Sequence, residues 1–185
     1  MDSAAVPAAR ADRRPADDRP GLGLCPGAEF GPSKRWPEYH YAVARHWIGQ
    51  GGRVWLFGSG KDRPVAEQIV EALPEAQRGE AAILAGATSL EQAVDLLSVT
   101  DAVVSNDSGL MHIAAALGRP LVAVYGSTSP GFTPPLGEAV AIERLGLECS
   151  PCFQRACPLG HLNCLRQLEP DPVIQAPGRV AGGPG

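Results

Sequence analysis

The sequence predicts an α/β domain, with a mostly parallel sheet covered by helices on both faces. Three observations carry that prediction. From Gly21 onward, short β-rich runs alternate with segments of helical periodicity. Those runs end in glycine, proline or small polar residues, the punctuation of a strand-to-helix turn. The apolar run Asp101–Val104 gives way abruptly to Ser105-Asn106-Asp107-Ser108, and a helical pattern starts at once. Such a junction places a helix N-terminus at the carboxyl end of a strand, where open α/β sheets bind ligands.

The elements follow in order. Leu22–Cys25 reads as a strand, followed by a Gly- and Pro-containing loop to Trp36. Pro37 suits the first helical position, and that helix runs to about Gln50, stopped by Gly51-Gly52. Val54–Phe57 is the next strand, ended by Gly58-Ser59-Gly60. Asp62 caps a helix to Leu73, with Val65, Ile69, Val70 and Leu73 on one face and Pro74 beyond. Ala82–Ala85 is a third strand, and Ser89 caps a helix through Leu97. Ala102–Ser105 and Leu121–Tyr125 are the fourth and fifth strands. Between them a helix over Leu110–Leu117 closes at Gly118 and Pro120. Strands alternating with helices in this way imply right-handed crossovers and parallel pairing. Beyond Ser127 the chain turns loop-rich, passes Ala139–Ile142, and reaches a cysteine cluster at 149–164. The tail 169–185 carries too much Pro and Gly to be expected to form a long closing helix.

Bulk properties narrow the function. The 185 residues suit one domain, residues 21–168, and the net charge of −4 with no basic stripe argues against nucleic acid. No apolar run approaches the roughly 20 residues needed to cross a bilayer. Residues 1–20 alternate Ala, Asp, Arg and Pro without the apolar centre of a signal peptide, and are expected to be a disordered leader. The expected compartment is the reducing cytoplasm, which argues against structural disulfides.

The strand ends should open on one cleft. Its key stretch, Asn106-Asp107-Ser108-Gly109, combines a helix dipole and unpaired N–H groups with the side chains of Asp107, Ser108 and His112. The same residues also suit a plain helix cap with a surface histidine. In the first loop Ser33, Lys34 and Arg35 precede a helix, where cation and dipole together would meet a diphosphate; a solvated basic pair is the other reading. Gly58-Ser59-Gly60-Lys61-Asp62 is a short Gly-rich turn lacking the third glycine of a dinucleotide fingerprint. Thr88, in Gly86-Ala87-Thr88-Ser89, is placed to line a base pocket, and the hydroxyls of Gly126-Ser127-Thr128-Ser129-Pro130 to contact sugar or phosphate. Glu29 reads as solvated, His40 and His46 as helix-surface residues, and Cys25 as a small core residue. Cys149-x2-Cys152-x4-Cys157-x6-Cys164, with His161 inside, suits a structural metal bound by four thiolates or by three and an imidazole. Reduced cysteines and redox-dependent disulfides are the alternatives.

Three runs resemble the ADP-heptose:lipopolysaccharide heptosyltransferases: Cys25–Pro37 (CPGAEFGPSKRWP), Asn106–Pro120 (NDSGLMHIAAALGRP) and Tyr125–Leu136 (YGSTSPGFTPPL). The third points to one subgroup, in which the cysteine segment also has a counterpart. The resemblance covers about Gly21–Leu168 and implies a Rossmann-like, three-layer domain, the C-terminal half of a two-domain GT-B glycosyltransferase. Family members use that half for the nucleotide sugar and an N-terminal half for the lipid acceptor. The implied reaction is inverting transfer of L-glycero-D-manno-heptose from ADP-heptose to the heptosyl-Kdo inner core of lipopolysaccharide. It would take place at the cytoplasmic face of the inner membrane and require no cofactor. The resemblance assigns donor binding to Ser33, Lys34, Thr88, Asp107, Ser108, Gly109 and His112, and the general base to the acceptor half. No residue of this chain is therefore expected to be catalytic, and the chain is expected to be an inactive donor-binding part. A non-catalytic nucleotide-sugar module and a metal-dependent interaction domain are the rival readings.

Overall fold

A computed structural model describes residues 18–36 and 39–181. The elements are β1 (Gly21–Cys25), a 3-10 turn (Pro32–Lys34), α1 (His40–Gly49), β2 (Arg53–Leu56), a second 3-10 turn (Gly60–Asp62), α2 (Arg63–Ala72), α3 (Glu75–Arg78) and β3 (Ala81–Ile83). They continue with α4 (Leu90–Ser98), β4 (Ala102–Asn106), α5 (Gly109–Ala116), β5 (Leu121–Val124), β6 (Val140–Glu143), α6 (Asn163–Arg166) and α7 (Pro170–Ala181). Most of the expected leader, and Pro37 as the start of the first helix, lie outside the described residues.

The strands form one six-stranded sheet in the order β3-β2-β1-β4-β5-β6, parallel throughout. The segment Ala139–Ile142, left unassigned by its sequence, supplies most of β6, which pairs with β5 from Leu121↔Val140 to Val124↔Glu143. Both faces are covered, so the strands carry apolar residues on both sides, and period-2 alternation sorts them into two layers. Leu22, Leu24, Val54, Leu56, Val104, Val122 and Val124 pack with residues of α1, α2 and α7. Trp55, Phe57, Val103, Leu121, Ala123 and Tyr125 pack with residues of α4 and α5. Cys25 belongs to this second layer, and burial pushes its thiol up to about 12, so it behaves as the inert core residue expected.

The tail corrects the sequence expectation. Residues Pro170–Ala181 are helical despite an internal Pro177, which removes an N–H and crowds the carbonyl four residues back. Burial outweighs that cost, because Val173 and Ala176 are fully buried against the first layer. An ion pair of 2.7 Å between Arg179 and Glu143 ties the helix to the edge strand β6.

His40 is a second correction. It is 2% exposed, at the first turn of α1, edge-on to the Trp36 ring with centroids 5.2 Å apart. Its Nδ1 lies 2.9 Å from the Trp36 carbonyl, which can only accept, so Nδ1 carries the proton. Nε2 is buried without a partner. His46 is exposed, as expected. Burial lowers the His40 pKa from 6.5 to about 4. The unfolded chain therefore takes up this proton near its ordinary value while the folded chain resists until about 4, so stability falls with pH across that window. Urea denaturation should show His40 contributing a loss of about 2 kcal/mol between about pH 7 and pH 5. A His40→Leu variant should lack that part of the slope; identical slopes would overturn the assignment.

Candidate functional site

With this strand order, the connections leaving β1 and β4 run to opposite faces, which leaves a crevice beyond their carboxyl ends. A cavity of about 690 Å³ opens there, lined from the ends of β1, β2 and β4 and from the starts of α4 and α5. Its size lies within the range of small-molecule sites.

The loop after β1 forms one wall, and Asn106 holds both of its ends. The fully buried Asn106 side chain donates from Nδ2 to the Pro26 carbonyl at 2.7 Å. Its Oδ1 accepts from the Trp36 N–H at 3.3 Å. These two partners fix the amide orientation. Asp62 braces the same loop against the one after β2. It accepts from the Ser59 N–H at 2.9 Å and the Ser59 hydroxyl at 2.8 Å, closing a capping box on the preceding 3-10 turn; at the N-cap of α2, where a capping bond is expected of it, its side chain makes none. Its carboxylate lies so close to Gly27 that an added Cβ there would sit 2.3 Å from it. That explains why a glycine stands at Gly27 in this loop.

Inside this frame Lys34 Nζ meets Asp107 Oδ2 at 2.6 Å, with both side chains largely buried. Thr128 donates to the same carboxylate oxygen at 2.6 Å, so its hydroxyl is committed to Asp107 rather than free for a ligand. Thr133 approaches both oxygens at 3.5 Å. No spacing in the sequence points to Thr133; only the return of the loop after β5 brings it in. Phe30 lies under the cation, its ring centroid 4.9 Å from Lys34 Nζ. The solvated-pair reading of Lys34 is thereby removed. Asp107 does not cap α5 either: the N-cap is Ser108, whose side chain makes no capping bond. The first N–H groups of α5 thus face the cavity without a side-chain acceptor from the cap.

Thr88, Ser108, Gly109 and His112 all line the cavity beside Lys34 and Asp107. Ser33 does not. It is 1% exposed and donates its hydroxyl to the Gln154 carbonyl at 2.5 Å, while its N–H reaches the Arg155 carbonyl at 3.3 Å. Ser127 donates to the Ser33 hydroxyl at 3.0 Å. Ser33 therefore anchors the loop from behind, and its expected contact with the donor is corrected to a positioning one. An added Cβ at Gly31 would stand 2.3 Å from the Arg155 carbonyl oxygen, which shows how closely the cysteine-bearing segment packs against this loop.

Cys149, Cys152, Cys157 and Cys164 are free thiols that line, with His161, a second small cavity behind Ser33. The Leu162 N–H reaches Cys157 Sγ at 3.4 Å and lowers that thiol's pKa, whereas burial and the neighbouring cysteines raise that of Cys164. Among the described residues, no group of three or more His, Cys, Asp or Glu is placed as it stands to hold a metal ion.

A doubly wound parallel sheet with a lysine and a helix N-terminus at its switch point defines an α/β domain of the Rossmann-like class. Residues 3–163 match glycosyltransferase family 9 (heptosyltransferase), and the chain belongs to that family. It is 60% identical over 129 residues to lipooligosaccharide heptosyltransferase 2 of Haemophilus influenzae, covering 69% of this chain and 37% of that protein. Its fold matches the structure of the Escherichia coli ADP-heptose LPS heptosyltransferase II with a TM-score of 0.79 at 45% identity, over 90% of this chain and 47% of that one. An E. coli heptosyltransferase solved with ADP matches at a TM-score of 0.68 and 27% identity, over 90% of this chain and 46% of the other. The chain spans less than half the length of these relatives.

Replacing Asn106 by Ala would strand the Trp36 N–H and the Pro26 carbonyl in a dry interior. Asn106→Ala should cost about 2–4 kcal/mol in urea denaturation. A loss below about 1 kcal/mol would mean that water replaces the clamp.

Proposed function

We propose that this chain binds ADP-heptose and forms the donor half of a heptosyltransferase acting on the inner core of lipopolysaccharide. The observation that carries the proposal is the Lys34–Asp107 pair, held against the N-terminus of α5 inside the switch-point cavity. In the reaction an acceptor hydroxyl attacks the anomeric carbon as the bond to the β-phosphate oxygen breaks, with inversion. Negative charge then grows on the departing diphosphate, and a preorganised cation and helix N–H groups stabilise it best in a site that excludes water. Lys34 and the N–H groups at Ser108 and Gly109 fill that role, so the reading asks for no cofactor in the donor site. Asp107 and His112 flank the position of the sugar, and Thr88 borders the nucleoside end. Thr128 keeps Asp107 hydrogen-bonded when Lys34 turns to phosphate.

No residue here is assigned as general base. In this reading the base and the acceptor site come from the part of the longer relatives that this chain does not cover. The acceptor is a lipid, so the reading places the work at the cytoplasmic face of the inner membrane. Among the described residues no helix is long and apolar enough to cross a membrane, which fits peripheral contact.

Calorimetric titration with ADP and with ADP-heptose tests the proposal, and no binding of either would overturn it. Lys34→Ala should weaken ADP binding by about 1.5–3 kcal/mol. It should also lower the thermal midpoint, because Asp107 loses its cation in a largely buried setting. Unchanged ADP affinity would remove Lys34 from the diphosphate site. Asp107→Asn keeps a hydrogen-bond acceptor for Thr128 but not the charge. It should weaken ADP-heptose by about 1–3 kcal/mol while ADP changes little. Equal losses for the two ligands would move Asp107 from the sugar to the phosphates.

A further inference from the structure

From Arg144 to Leu162 the chain contains no helix or strand, and none of these residues is buried. A structureless stretch of that length within a domain is uncommon, and the apolar core holds it only through Leu147 and Leu162, partly buried against the first layer. The stretch nevertheless makes specific demands on its surroundings. Phe153 donates its N–H to the Ser127 carbonyl at 2.7 Å, Ser150 donates to the Gly126 carbonyl at 2.5 Å, and Gln154 and Arg155 hold Ser33. Two partly buried leucines anchor it, and the middle of the segment, which positions the Lys34 loop, is left to be ordered by something other than apolar burial.

Its three cysteines are the candidates. Cys149, Cys152 and Cys157 are among its less exposed residues, and together with the buried Cys164 of α6 they converge on one cavity of about 20 Å³. That space has room for about one water-sized atom or ion and is too small for an organic ligand. The turn after Cys157 curls back on the sulfur: Gly160 donates its N–H to the Cys157 carbonyl at 3.1 Å and Leu162 donates to Sγ at 3.4 Å. An N–H aimed at sulfur favours a thiolate that serves as a ligand. His161 is oriented away from such a role, since its Nδ1 accepts from the Asn163 N–H at 3.0 Å. The neutral ring therefore carries its proton on Nε2, which leaves four sulfurs as the donor set.

We propose that Cys149, Cys152, Cys157 and Cys164 bind one tetrahedral, thiophilic transition-metal ion of the zinc class, which orders the 144–162 segment and through it the Ser33–Lys34 loop. As they stand the cysteines do not enclose an ion; the three half-buried ones would turn their side chains into the shared cavity as it binds. The ion crosslinks the segment to α6, and four thiols give up their protons to become thiolate ligands as it binds. The effect on the loop rests on the donor-site reading; the metal site itself does not.

The test is metal analysis of the intact chain purified under reducing conditions, with cobalt(II) exchanged for the native ion. About one equivalent of metal and a thiolate-to-cobalt charge-transfer band are expected. Cys157→Ser should reduce metal retention at least about tenfold, whereas Cys25→Ala, in the core, should keep it. If Cys157→Ser does not fold, thiol titration of the wild-type chain decides: chelation should expose the four clustered thiols to reagent. Less than about a tenth of an equivalent with no charge-transfer band would overturn the proposal, as would an intact mass showing disulfides in the reduced preparation. ADP affinity before and after chelation is read separately. Bound metal with unchanged ADP affinity would keep the site and overturn only its reach to Lys34.

Discussion

The amide of Asn106 is the constraint on which the rest of the site depends. A loop from Pro26 to Trp36 has to leave the end of one strand, hold a cation over a neighbouring strand end, and return to start a helix. Without a clamp, its backbone groups would compete for water and its entropy would blur the position of Lys34. One buried side chain, at the last position of β4, takes a donor from one end of the loop and an acceptor from the other. The next residue along, Asp107, then receives the lysine that the closed loop presents. Position and charge are thus set by adjacent residues of one strand end.

Much of the fold was legible in the sequence because its punctuation is local. Ser89 caps α4 in a full capping box, Gly51 and Gly118 adopt positive φ just after their helices, and the strands begin within a residue or two of where the β-rich runs begin. What stayed hidden needed contacts distant in sequence. The tail reads as a helix breaker residue by residue, and only the packing of Val173 and Ala176 makes it a helix. His40 sits in a polar-looking stretch, and nothing local shows that the Trp36 ring and carbonyl enclose it. The strand β6 is four residues long and earns its place by pairing with β5.

The site divides in the same way. Lys34, Asp107, Ser108, Gly109, His112 and Thr88 were legible because each sits at a strand-to-helix turn, and the fold brings every such turn to one rim. Ser33 was misjudged because adjacency in sequence says nothing about which side of a loop a side chain takes; its neighbour faces the cavity and it faces the cysteine segment. Thr128 and Thr133 reach Asp107 from a loop whose path follows no periodic pattern. The cysteines were visible as a motif, while their place behind the Lys34 loop was not.

The pairing of Lys34 with Asp107 has a kinetic consequence. Two opposite charges 2.6 Å apart cancel beyond a few ångströms, and the chain as a whole carries −4. If the site takes a diphosphate, as proposed, the ligand meets no long-range attraction on its approach, and its capture is not hastened by electrostatic steering. Encounter proceeds at an unassisted diffusive rate that depends little on ionic strength. Discrimination between nucleotides is left to how long each one stays once the lysine has changed partners.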